Sequence, residues 1–143
     1  AASGLARIDD GDGPDSLGTL AGGGLTVHLA TGSLGAVIAA CDVVLGQAGT
    51  ANLQAIGMGR PVVSFLAEGA RPARIRRVAA MLGESRITVA PDAVALGAAV
   101  SRLLEDDDDR ARRGAIGRER IGGGGAFAAL AEILSADARQ LHA

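Results

Sequence analysis

The stretch from Asp42 to Ser64 constrains the fold more than any other part of the chain. Val43-Val44-Leu45 is a short apolar run with β-branched residues, the composition of a buried strand. Gly46 and Gly49 end it. From Thr50 onward Leu53 and Ile56, with Ala51, recur at helical spacing. Pro61 stops that pattern, and Val62-Val63-Ser64-Phe65 reads as a second buried strand. Strand, glycine turn, helix, strand is a βαβ unit and implies a parallel sheet. The expected fold class is therefore α/β, a Rossmann-like parallel sheet with flanking helices.

The glycine turn is where chemistry can sit. A helix N-terminus presents backbone N–H groups without intrahelical partners and a partial positive charge. Glycine lets a phosphate approach that backbone, and Thr50 adds a hydroxyl. A side chain at Gly49 is expected to fill the phosphate's space and to strain the turn. Glycine between strand and helix is also ordinary turn chemistry, so the G-x-x-G spacing alone leaves both readings open.

At 143 residues the chain is expected to hold one domain at most. Residues 1–24 read as a flexible segment, with the acidic, glycine-rich run Asp9-Asp10-Gly11-Asp12-Gly13-Pro14-Asp15 and the triplet Gly22-Gly23-Gly24. That run lacks the distal glutamate of a calcium loop. The domain proper is placed at 25–143. Leu25–Leu29 is its first strand, Ser33 the N-cap of the next helix, and His28 a strand histidine of structural type. After Phe65, the segment through Arg71 and Arg74 leaves the carboxyl end of a strand, where open α/β sheets bind ligands. Guanidinium groups there suit a diphosphate. Arg86–Val89 reads as a last short strand, and Asp92 as the N-cap of a helix carrying Leu96, Val100, Leu103 and Leu104. Asp106–Asp109 favours the positive end of the following helix, with arginines placed to pair with it at i, i+4. Gly122–Gly125 breaks that helix, and Phe127, Leu130, Ile133 and Leu134 begin another.

Composition narrows function. The net charge of −2 gives no bulk attraction for nucleic acid. Cys41 is the only cysteine, so no intrachain disulfide and no zinc spacing exists, and no metal or other cofactor is expected. No apolar run is long enough to span a bilayer. All basic residues are Arg, and with abundant Ala and Gly this points to a GC-rich bacterial genome.

Three strings together are more specific. Cys41-Asp42-Val43-Val44-Leu45, Ala48-Gly49-Thr50-Ala51-Asn52-Leu53-Gln54-Ala55 and Gly59-Arg60-Pro61-Val62-Val63 resemble the donor-binding half of GT-B glycosyltransferases. The likeness is to lipid-A-disaccharide synthase and its related proteins. Gly117-Arg118-Glu119-Arg120-Ile121-Gly122 with Gly125-Ala126 is similar to a later string of the related proteins. The 67–72 loop departs from their pattern.

The resemblance implies part of a GT-B C-terminal domain. It binds a UDP-sugar donor, UDP-N-acetylglucosamine, for transfer to a lipid-linked acceptor. Gly49, Thr50 and Ala51 would present backbone N–H groups to the diphosphate, with Gly46, Gln47 and Ala48 also in the donor-binding turn; Gln54 would hold the ribose hydroxyls, and Thr31 beside Ala30 the base. The catalytic base is expected from an acceptor domain outside this chain, so that the chain alone binds without turnover. Val27–Leu29, Val43–Leu45, Val62–Phe65 and Ile87–Val89 would be strands three to six of the sheet, with the first two upstream. Val27–Leu29 would then either close directly onto Val43–Leu45 or leave that edge open to another chain, and marginal stability with self-association is expected. The full-length protein would be cytoplasmic, peripheral at the inner membrane face. Two alternatives stay open: another GT-B enzyme such as a UDP-N-acetylglucosamine 2-epimerase, and a non-catalytic domain for oligomerisation or partner binding.

Overall fold

The structure is a computed structural model that describes residues 4–11, 13–47, 49–66, 69, 71–121, 125 and 128–134, without the side chains of residues 72 and 74. It divides into two compact units, residues 1–40 and 41–143. The sequence places its boundary earlier, at 24/25.

The first unit is an antiparallel meander, β1 (Ala6–Asp9), β2 (Ser16–Gly22) and β3 (Leu25–Ala30), followed by helix α1 (Leu34–Ala40). Strands stand where the sequence reads a flexible segment. The β2–β3 connection is Gly23-Gly24, both at positive φ (+58° and +79°), with Gly22 opposite Leu25. Positive φ at both central residues is the pattern of a type I′ hairpin loop, and glycine adopts it without strain. The acidic run is held locally as well. Asp9 Oδ1 accepts from the Gly11 N–H at 2.8 Å, and Arg7 Nε meets Asp10 Oδ1 at 2.9 Å. Asp15 Oδ2 accepts from the Ser33 hydroxyl at 2.9 Å. Ser33 therefore spends its hydroxyl on Asp15, and its backbone sits at φ +41° at the start of α1. His28 lies opposite Thr19 across the β2–β3 ladder, with 3.2 Å between Nδ1 and Oγ1. Val27–Leu29 belongs to β3 of this antiparallel sheet, which corrects its assignment as the third parallel strand.

The second unit is α/β. Its parallel sheet has the order β4 (Val44–Leu45), β5 (Val62–Phe65), β6 (Arg86–Val89). Helices α2 (Gly49–Gly57), α3 (Pro72–Leu82), α4 (Ala93–Glu105) and α5 (Asp107–Ile121) flank it, an arrangement compatible with a Rossmann-like fold. Val62, Val63 and Ser64 of the central strand are fully buried with Ile56 of α2 and Leu103 of α4. Among the described residues strand β4 is bonded only to β5, at the edge of its sheet. A Schellman motif ends α2: Arg60 N donates to Ala55 O at 2.8 Å and Gly59 N to Ile56 O at 2.9 Å, with Gly59 at φ +78°. Asp92 caps α4, accepting from Val94 N and Ala95 N at 3.0 and 2.9 Å. Among the described residues no helix is long and apolar enough to cross a membrane. Phe127 and Gly122–Gly124 lie outside the described residues.

Asp106 opens α5, its Oδ1 accepting from Asp109 N at 2.9 Å. The arginines behind it do more than line a solvated face. Arg113 Nε donates to Asp109 Oδ2 at 2.7 Å, and Arg112 bonds both Asp109 and Glu84. Arg113 Nη1 reaches Glu84 O and Arg120 Nη1 reaches Ala80 O, tying α5 to the end of α3 and the 3₁₀ turn Gly83–Ser85. The Arg113 hydrogen bond holds the Asp109 carboxyl below its usual range, and the Arg112 hydrogen bond does the same for Glu84. Their folded pKa values are depressed, so their stabilisation is complete above the unfolded values near ~4 and is lost as pH falls through the folded ones. The melting temperature is therefore expected to hold from pH 7 to about 5 and to drop below about 4. Asp109→Asn should cost about 1–3 kcal/mol at pH 7 and flatten the acid limb. An acid limb as steep as that of the parent chain in thermal melts would contradict this role.

Candidate functional site

The β4–α2 turn is built by its own backbone and by two side chains. Gly46 N donates to Val63 O at 3.0 Å, fixing the end of β4 against β5. Gln47 Nε2 spans to Phe65 O at 2.7 Å, joining the carboxyl ends of the two strands. Asn52 is 4% exposed, and its Nδ2 donates back to Gly46 O at 3.1 Å. Its Oδ1 is buried with no partner among the described residues. Oδ1 lies so close to Gly46 that a Cβ there has no room, so Gly46 is glycine for close approach. Gly49 differs. It is not among the glycines at positive φ, and a Cβ on it meets no atom within 4 Å. The expected strain at Gly49 is therefore absent, because the turn uses a conformation open to any residue. The space beside Gly49 at the start of α2 is open.

That turn borders a groove of about 1160 Å³, which runs over the sheet between α2 and α3. Gln47, Gly49 and Arg71 of the sequence-derived set line it together. Thr50, Ala51 and Gln54 lie on α2, Thr50 and Gln54 exposed, outside the groove lining. Ala48 lies outside the described residues, as does the side chain of Arg74. Thr31 is in the first unit, where its N–H donates to Asp15 O at 2.8 Å.

The sequence reading missed Asn52, Ser64, Arg86 and Thr88. Arg86 enters β6 and runs along the sheet surface until its Nε donates to Ser64 Oγ at 2.6 Å. Ser64 Oγ in turn lies 3.5 Å from Ile87 O. Burial holds the Arg86 guanidinium below its ordinary pKa. Arg71 and Arg77 also line the groove, and no Asp or Glu does so among the described residues. The alternation Arg86-Ile87-Thr88-Val89 is the signal that marks the polar floor, since a sheet covered by helices usually presents apolar residues on both faces. A smaller cavity of about 290 Å³ lies before β4 and β5, where Asp42, Asp107, Arg110 and Arg118 mix both signs of charge. Among the described residues no three His, Cys, Asp or Glu side chains gather as metal ligands.

The site can thus attract an anion at the carboxyl edge of the sheet and present helix N–H groups to it. No family model, curated protein or solved structure compared with the chain matches it.

Proposed function

We propose that the second unit captures the diphosphate of a nucleotide sugar at the turn from Gly46 to Ala51. The reading rests on one observation: the N-terminus of α2, at the carboxyl edge of a parallel sheet, opens on a groove lined by three arginines and, among the described residues, no carboxylate. The resemblance of the 41–63 strings to GT-B donor domains specifies the ligand as UDP-N-acetylglucosamine and the acceptor as lipid-linked. The backbone N–H groups of Gly49, Thr50 and Ala51 bond the phosphates, and they act most strongly as charge develops on the leaving diphosphate. Arg71 neutralises the outer phosphate, and Gln54, one turn further along α2, takes the ribose hydroxyls. This unit binds the donor, and the catalytic base comes from an acceptor domain.

Calorimetry with UDP and uridine tests the proposal. UDP should bind saturably and about tenfold or more tighter than uridine, because the diphosphate carries the charge-assisted bonds. Equal affinities, or no saturable UDP binding, would remove the nucleotide from the site.

A further inference from the structure

The floor of the groove carries chemistry that diphosphate capture does not use. In the register of the sheet, Val62 is opposite Arg86 and Ser64 is opposite Thr88. These four residues share one face, and Arg86 and Thr88 reach the groove beneath α2 and α3. Where helices fully cover a parallel sheet such positions are apolar, whereas here Val62 and Ser64 are buried, Arg86 is half-buried and Thr88 is exposed to the groove. Here a guanidinium with five N–H donors spends one of them on Ser64 Oγ, and it has no carboxylate partner among the described residues. Partial burial of an unpaired charge works against folding. The walls above it are apolar: Leu53 from α2, and Ile75, Val78 and Leu82 from α3.

We infer that this groove binds a small amphiphilic anion, its carboxylate or phosphate head on the Arg86 guanidinium and its apolar body between Leu53 and the α3 side chains. The head supplies the counter-charge that none of the described groove residues provides, and two parallel N–H donors of Arg86 suit either oxyanion. The apolar walls then select against bare phosphate. Arg86 is kept for binding, at the expense of stability.

The inference does not rest on the nucleotide reading. Octanoate below its micelle concentration, octyl phosphate, octanol and inorganic phosphate are titrated into the full chain while amide shifts are followed. Octanoate or octyl phosphate should shift Leu53, Ser64 and Thr88 saturably, and whichever binds tighter identifies a fatty carboxylate or a lipid phosphate as the source. Octanol and inorganic phosphate should each bind about tenfold or more weakly. Arg86→Met keeps the length of the stem and removes the charge. It should lower affinity for the preferred probe about tenfold or more, with a melting temperature equal to or above that of the parent chain.

Inorganic phosphate binding as tightly as octyl phosphate would overturn the inference, as would shifts confined to the arginines of α5. Undiminished affinity in folded Arg86→Met would overturn it too. Should that variant fail to fold, the shift map of the parent chain decides alone. UDP is titrated separately: octanoate binding without UDP binding sustains this inference and rejects the nucleotide reading, and the converse result does the reverse.

Discussion

Gly117→Val is expected to destabilise the second unit by about 3 kcal/mol or more, a large share of what a small domain possesses. Helix α5 lies on the carboxyl end of α2 backbone against backbone. A Cβ on Gly117 would stand 2.6 Å from Ile56 O and 2.9 Å from Ile56 Cγ2. A Cβ on Gly114 would run into Gly59 O, one turn away. Neither obstacle is the end of a flexible side chain, so the helix itself must move. Moving it pulls on Arg112, Arg113 and Arg120, which hold Glu84 and Ala80. The string Gly117-Arg118-Glu119-Arg120-Ile121 thus has a packing role that needs no ligand. Gly97→Ala is the control. Gly97 sits in α4 with nothing within 4 Å of its Cβ, and the change should stabilise by roughly 0.5–1 kcal/mol. Urea unfolding with an unchanged slope reads both effects, and a near-native midpoint for Gly117→Val would show that α5 does not seat this closely.

Gly49→Val is expected to leave the fold intact and to abolish UDP binding, a loss of roughly a hundredfold or more in affinity. The structural half follows from the open space around its Cβ and its ordinary φ. A β-branched residue in the first turn of α2 costs only a few tenths of a kcal/mol. The binding half follows from the proposal. Two or three N–H groups bond the phosphates only if the phosphates touch the backbone, and the Val methyls occupy that contact. Circular dichroism and melting separate this outcome from unfolding, and calorimetry reads affinity. Gly46→Val makes a poor substitute, because it crowds the buried Asn52 and disturbs the fold first.

The βαβ core was legible because its signals are local and mutually consistent. Val43–Leu45 and Val62–Phe65 are apolar runs, Gly59 sits where a helix C-cap needs positive φ, and Asp92 caps α4 with its own side chain. The order β4-β5-β6 follows from those elements. Strands β1 and β2 were missed because the acidic, glycine-rich residues between and around them look like linker composition. Asp9, Asp10 and Asp15 each have a partner, in the Gly11 N–H, the Arg7 guanidinium and the Ser33 hydroxyl. Gly23-Gly24 between two alternating runs was the available hairpin signal. Ser33 shows the limit of local reading, since Asp15, distant in sequence, takes the hydroxyl that would otherwise cap the helix. At the site, the glycine turn and Arg71 were visible as motif and loop position. Asn52 and Arg86 were not, because their meaning depends on which sheet face lies under α2 and α3. Only strand pairing settles that.

The central claim is that the N-terminus of α2 holds a nucleotide diphosphate, and an amide-shift titration of the full chain with UDP tests it most directly. The account predicts that Gly49, Thr50 and Ala51 shift first and saturate together, with Arg71 following and the helices from Ala93 to Ile121 unmoved. Shifts confined to the arginine-rich α5, rising without saturation, would mean nonspecific attraction of an anion and would contradict the claim.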